Sequence, residues 1–235
     1  MRLFRSLLFT IFLFVWTPLC GIIIACTWVL PYRFRYATAS WYARQVLRCL
    51  KLTCGLGYEV EGLEHLPPGA HVTMWKHSSS WETMAMMVLL PPTVWVLKRE
   101  LMWLPFVGWG LAALRPIAID RSASRSSINQ VIDQGKARLA EGLWVLIFPE
   151  GTRTAPGETR RYGLSGAMLA VATGSRIVPV AHNAGDYWPR RGLLKKPGVI
   201  RLVFGPCIDP VPDDARATND KVQAWIDAKV AELRS

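Results

Sequence analysis

Lys76-His77-Ser78-Ser79-Ser80-Trp81-Glu82-Thr83-Met84 places a histidine five positions ahead of a glutamate, between the apolar runs "AHVTMW" and "MAMMVLL". An imidazole beside a carboxylate can take a proton from a weakly acidic hydroxyl. The carboxylate fixes the tautomer and stabilises the imidazolium that forms. The same residues also read as the start of a helix, with Ser80 as N-cap, Thr83 three residues on, and Glu82 in the first turn facing the positive end of the dipole. That second reading accounts for the serines and the glutamate but leaves His77 without a task.

Further stretches carry polar groups at the ends of apolar runs. Phe148-Pro149-Glu150-Gly151-Thr152-Arg153 follows "WVLI", at the C-terminal edge of a predicted strand, where α/β folds bind ligands. Gly151 permits close approach of backbone to a substrate, and Thr152 and Arg153 can donate to phosphate oxygens. A turn followed by a solvated arginine fits the composition too. Arg121 ends "IAIDR". Lys98 and Arg99 lead into an aromatic loop broken by Pro and Gly, where Trp103, Phe106 and Trp109 suit packing at a membrane interface.

The elements that must position these residues are short. Strands are predicted at 71–75, 93–97, 116–119, 144–148, 177–181 and 199–204, several of them continuously apolar, as in a sheet covered on both faces. Ile128, Val131, Ile132 and Leu139 keep a helical period that stops near Gly142. Val222, Trp225, Ile226, Val230 and Leu233 do the same at the C-terminus. The pattern is an α/β layer architecture in one domain, 57–235, without internal repeats or a long linker.

Residues 1–56 differ in texture. No residue from Ser6 to Tyr32 is charged, a run that reads as an uncleaved membrane anchor. It is too long for a cleaved signal peptide and lacks a clear cleavage site. Either one spanning helix or two short helices broken near Pro18 and Gly21 satisfies it. Arg33, Arg35, Arg44, Arg48 and Lys51 follow, the last three at helical spacing opposite Val46, Cys49 and Leu50, as in an amphipathic helix lying on a membrane surface. These charges place the main domain on the cytoplasmic side. The net charge of +11, from 28 Lys+Arg against 17 Asp+Glu, suits an anionic membrane. No nucleic-acid recognition motif accompanies it. The five cysteines form no CxxC pair, so neither a disulfide framework nor a metal site is indicated.

Together these stretches resemble the 1-acylglycerol-3-phosphate acyltransferase (lysophosphatidate acyltransferase) family. His77, four residues and Glu82 match its first motif, Arg121 its second, residues 148–153 its third, and "IVPVA" with Pro179 its fourth. Lys98, Glu100, Leu101, Pro105 and Gly108 match a further segment, and the resemblance spans roughly residues 58 to 207. One departure is Glu82, since the commonest acid in the first motif is aspartate. Glutamate reaches roughly 1.5 Å farther. Lipid A late acyltransferases also tolerate glutamate there but do not usually carry the intact "FPEGTR".

The resemblance implies a glycerolipid acyltransferase-like α/β sheet flanked by helices, behind an N-terminal membrane-anchoring helical segment. It implies acyl transfer from acyl-CoA or acyl-carrier protein to the sn-2 hydroxyl of 1-acylglycerol-3-phosphate, with no further cofactor. His77 would be the base and Glu82 its orienting carboxylate, without a covalent acyl-enzyme. Arg121, Arg153 and Lys98 would hold the substrate phosphate, with Glu150, Gly151 and Thr152 forming its pocket. The implied location is a bacterial inner membrane, with membrane lipids as partners. Another lysolipid or a lipid A-type acceptor is the alternative within the class. A non-catalytic lipid-binding protein on the same scaffold is the alternative outside it, and the presence of both His77 and Glu82 speaks against it.

Overall fold

Apolar runs flanked by turn residues become the strands of one mixed sheet in the computed structural model, which describes residues 1–120 and 124–234. The strands are β1 (Leu56–Glu61), β2 (Val72–Trp75), β3 (Thr93–Lys98), β4 (Ile117–Ile119), β5 (Trp144–Ile147), β6 (Ile177–His182) and β7 (Gly198–Phe204). Their order is β1-β7-β6-β2-β5-β3-β4, and every neighbouring pair is parallel except β6 with β7. Every residue of β2, β5 and β6 is buried, which is why these strands read as unbroken apolar runs. β1 was not expected. It is an edge strand paired only with β7, and Glu59 and Glu61 interrupt its apolar pattern.

Helices cover both faces: α1 (Arg2–Cys26), α2 (Tyr32–Cys54), α3 (Trp81–Leu89), α4 (Val107–Ala113), α5 (Ser124–Ala140), α6 (Ser165–Thr173), α7 (Ala184–Tyr187) and α8 (Ala215–Glu232). Alternation along the strands divides the core. Trp75, Trp144, Leu146, Val180 and Phe204 pack with α1, α2 and α3. Val72, Met74, Val145 and Ile147 pack with Val131 of α5, Leu169 of α6, and Val222 and Ile226 of α8. The aromatic stretch after Lys98, expected as a loop, contains a 3-10 turn at Arg99–Trp103 and then α4.

α1 is one continuous helix with Pro18 inside it, not two short ones. The stretch Arg2–Val29 is long and apolar enough to cross a membrane by length and composition. One face of α1 packs on the domain at both ends. Near its start, Ser6 Oγ accepts the Lys195 backbone N–H at 3.0 Å, Thr10 Oγ1 accepts Lys195 Nζ at 2.7 Å, and Phe9 meets Trp188 edge-on. Farther along, a Cβ on Gly21 would sit 2.5 Å from the Phe106 carbonyl oxygen, and one on Gly110 would sit 2.8 Å from the Gly21 carbonyl oxygen. The two glycines let α1 and α4 cross closely. The opposite face of α1 exposes Phe4, Leu8, Ile11, Phe14, Val15 and Leu19. α2 turns Arg44, Arg48 and Lys51 outward as expected. Its apolar face of Ala39, Ala43, Val46, Leu47 and Leu50 joins the core that α1 and α3 also share, so protein covers it.

Candidate active site

β2 is hydrogen-bonded between β5 and β6, and all three run parallel, so their C-terminal ends meet at one edge of the sheet. Residues 76–80 cross that edge on the way from β2 to α3. There His77 Nδ1 donates to Glu82 Oε1 at 2.9 Å. The same oxygen accepts the Ser78 and Ser79 backbone N–H groups at 2.9 and 2.7 Å. The helix-start and His–carboxylate readings therefore hold together, because one carboxylate oxygen serves the free N–H groups ahead of α3 and the imidazole. The cap differs in detail from the expectation. Ser80 makes no side-chain cap bond, and Ser79 Oγ accepts the Trp81 N–H instead, at 3.1 Å.

Glu82 is fully buried. Burial opposes its charge, but the His77 hydrogen bond, the electrostatic pull of the His182 and His77 imidazoles and the Ser79 N–H outweigh it, and the carboxyl is held below the usual range. With Nδ1–H committed to a carboxylate, Nε2 is the ring nitrogen left to take a proton.

The backbone of His77 is held from both sides. Its N–H donates to Glu150 Oε2 at 3.2 Å, and its carbonyl accepts the Thr154 N–H at 2.8 Å and hydroxyl at 3.1 Å. The Phe148 ring stacks on the imidazole with 4.1 Å between centroids and 19° between planes, which restrains the plane of the ring. Glu150 is ion-paired with Lys76 at 2.9 Å, and both side chains are buried. Burial pushes the Glu150 carboxyl up, and Lys76 offsets part of that. Removing one member would leave the other as an uncompensated buried charge. Lys76, Phe148 and Thr154 were not expected as parts of the site. Phe148 and Lys76 lie within stretches already singled out, but nothing local to Lys76 or Thr154 marks either as a support for His77.

His77 opens on a cavity of about 670 Å³, a size typical of ligand sites. Lys98, Gly151, Thr152 and Arg153, four of the residues expected to meet substrate, line it. Gly151 takes a φ of +68°, a conformation that suits glycine. Glu150, expected among them, is not a lining residue; its carboxylate supports His77. Arg121 lies outside the described residues. Arg190 also lines the cavity and donates to the Arg153 carbonyl at 3.2 Å. In the sequence it is one of two adjacent arginines after Trp188-Pro189, indistinguishable there from a solvated face. Much of the rest of the wall is apolar, with Cys20, Gly21 and Ile24 from α1, Met86 and Met87 from α3, and Trp95, Leu111 and Leu114, interspersed with the hydroxyls of Thr17, Tyr42, Thr83 and Ser165. Ser78, Ser79 and Ser80 are not among the lining residues. Among the described residues, no three His, Cys, Asp or Glu side chains gather as a set of metal ligands.

Comparison with known proteins identifies the family and the fold. The Acyltransferase family profile matches residues 57–183. The chain is 40% identical over 238 residues to the 1-acyl-sn-glycerol-3-phosphate acyltransferase of Pseudomonas aeruginosa, covering 97% of this chain and 91% of that protein. It is 29% identical to the human 1-acyl-sn-glycerol-3-phosphate acyltransferase alpha, over 77% of this chain and 66% of the human protein. The crystal structure of the 1-acyl-sn-glycerophosphate (LPA) acyltransferase, PlsC, from Thermotoga maritima superposes with a TM-score of 0.82 at 20% identity, over 100% of this chain and 96% of that one, and so shares its fold. With motifs, fold and relatives in agreement, the chain belongs to the 1-acyl-sn-glycerol-3-phosphate acyltransferase family and is an O-acyltransferase.

Proposed function

We propose that this protein moves a fatty acyl group from acyl-CoA or acyl-carrier protein to the sn-2 hydroxyl of 1-acylglycerol-3-phosphate, giving phosphatidic acid. The observation that carries the reading is one cavity lined by the cations Lys98, Arg153 and Arg190, by His77, and by apolar side chains that include residues of α1. The phosphate of the acceptor sits among Lys98, Arg153 and Arg190, with Arg121 joining them on the strength of the motif, since Arg and Lys donors form charge-assisted bonds to phosphate. The acyl chain lies along Met86, Met87, Leu111 and Ile24. His77 Nε2 takes the hydroxyl proton as the oxygen attacks the thioester carbonyl. The tetrahedral adduct then collapses, the C–S bond breaks, and the imidazolium returns the proton to the leaving thiolate. Glu82 stabilises the imidazolium throughout and keeps its own charge. Residues Ser78–Ser80 stay out of the reaction, which is direct transfer.

The apolar face of α1, with exposed Trp103, Phe106 and Trp109, attaches the protein to the membrane, and Arg33, Arg44, Arg48 and Lys51 meet anionic headgroups on the cytoplasmic side. Washing membranes in high salt leaves the protein bound, because salt screens only the basic part. Quantitative release would rule out the apolar contact.

The test of the function is thioester consumption by purified protein in detergent. Lysophosphatidate, glycerol-3-phosphate and an unphosphorylated monoacylglycerol serve as acceptors, and acyl-CoA and acyl-carrier protein are supplied in turn. Thiol release that requires lysophosphatidate supports the reading. Equal rates with the unphosphorylated acceptor sink the phosphate assignment.

A further inference from the structure

Glu82 has two carboxylate oxygens, and the dyad accounts for one. Oε1 collects the three N–H donors described above, whereas Oε2 is buried without a hydrogen-bond partner among the described residues. The polar group it faces is His182 at the end of β6, with Nε2 4.0 Å away. His182 is itself 1% exposed. Its Nδ1 accepts the Ala184 N–H at 3.3 Å, so the ring proton is on Nε2, where it is donated to the Lys76 carbonyl at 2.9 Å. Trp81 packs against the same ring, with centroids 5.9 Å apart. The imidazole is thus fixed, with its N–H between a backbone carbonyl and the unpaired carboxylate oxygen. Burial pushes the ring below the usual histidine range, with the Glu82 charge pulling partly the other way, in line with a neutral donor.

A separation of 4.0 Å exceeds a hydrogen bond. In a buried, low-dielectric interior, however, an N–H dipole still acts strongly on a nearby charge. We propose that His182 is a positioning residue for acyl transfer, whose Nε2–H holds the second oxygen of Glu82 and fixes the rotation of the carboxylate that serves His77. The geometry also gives the extra methylene of Glu82 a use, because a shorter aspartate would draw that oxygen back from His182. His182 further bonds the residue preceding His77, through the Lys76 carbonyl, so it supports the dyad from both backbone and side chain. This inference rests on the His77–Glu82 reading of the site.

The test is a set of variants assayed for kcat and acceptor KM separately, with folding followed by thermal melts. His182→Leu lowers kcat by about tenfold, within the range of couplings between contacting residues, and leaves the acceptor KM unchanged. His182→Gln places an amide N–H near the Nε2 position and restores most of kcat, whereas His182→Asn places it near Nδ1 and does not. In the Glu82→Asp background, His182→Leu costs little further. Wild-type kcat in a folded His182→Leu protein, equal activity of the Gln and Asn variants, or full additivity with Glu82→Asp would each overturn the proposal. If His182→Leu fails to fold, the comparison of Gln with Asn decides. His77→Ala separates the two levels of the argument. Turnover in that variant removes the dyad reading and this inference with it, while a dead His77→Ala beside a fully active His182→Leu removes only the inference.

Discussion

Around His77, backbone and side chains are matched to named partners: Glu82 on the ring, Glu150 on the N–H, Thr154 on the carbonyl and Phe148 on the ring face. Elsewhere on the wall of the same cavity, Cys20, Gly21, Ile24, Met86, Met87 and Leu114 act by shape alone. Hydrogen bonds are directional and lock atoms to within tenths of an ångström, as a proton transfer requires. Packed apolar side chains fix volume and length but tolerate repacking if volume is kept. Substitutions at the polar end should therefore change the chemical step. Those at the apolar end should change stability and the handling of the acyl chain.

The sharpest way to break this contrast is at the dyad. His77→Ala should fold and lose turnover by at least about 10²–10⁴-fold, with acceptor affinity little changed. Glu82→Gln should fold and fall by about 10⁴-fold, as loss of an orienting carboxylate does in a hydrolase triad. Glu82→Asp should keep measurable activity. Were Glu82 only a helix-start residue, Glu82→Gln would cost about 0.3–1 kcal/mol of stability and leave kcat nearly intact.

Arg153→Ala tests the cations that line the same cavity. It should raise the acceptor KM by the loss of a charge-assisted hydrogen bond, about 1.5–3 kcal/mol, with kcat less affected. An acceptor lacking the phosphate should lose little more in this variant. Undiminished discrimination between phosphorylated and unphosphorylated acceptors would remove Arg153 from the phosphate site.

At the apolar end, Gly21→Leu should separate α1 from α4, since a Cβ there would lie 2.5 Å from the Phe106 carbonyl oxygen. The expected cost is about 1–3 kcal/mol, as for overpacking, read as a lower Tm. The preference among donors of different acyl length should shift, and the shortest donors should keep most of their rate. A unchanged length profile with a lowered Tm would take α1 out of the acyl site while leaving its packing role.

The smallest effect expected is in the pH dependence of stability. The Glu82 carboxyl is lower in the folded protein than in the unfolded chain, chiefly because hydrogen bonds and neighbouring histidines overcome its burial. Between those two values the unfolded chain binds more protons, so stability is present above the usual carboxylate range and is lost as pH falls through the folded value. Denaturant midpoints at neutral and acidic pH should therefore fall more in the wild type than in Glu82→Gln. Glu150, whose carboxyl burial raises, acts with the opposite sign in both proteins and cancels from the difference.

Glu82 and the N–H groups it accepts are three and four residues apart. The start of α3 was therefore legible from "KHSSSWETM", since short-range bonds depend on spacing, whereas the pairing of His77 with Glu82 stood there as one of two readings until the other motifs were added. The continuous apolar runs marked β2, β5 and β6 for the same kind of reason: strands buried on both faces have no polar face to show. β1 escaped because an edge strand with one open side alternates with glutamates. What residue order could not determine was which strand ends become neighbours. Because β2 inserts between β5 and β6, Glu150 and Thr154 reach the backbone of His77 from 73 and 77 residues away, and His182 reaches the Lys76 carbonyl from 106. The crossing of Gly21 with Gly110, which closes the apolar end, has the same origin. Local spacing put Glu82 within reach of His77. The order of strands in the sheet decided what holds that histidine still, because contacts of such range exist only once the chain has closed the loops between them.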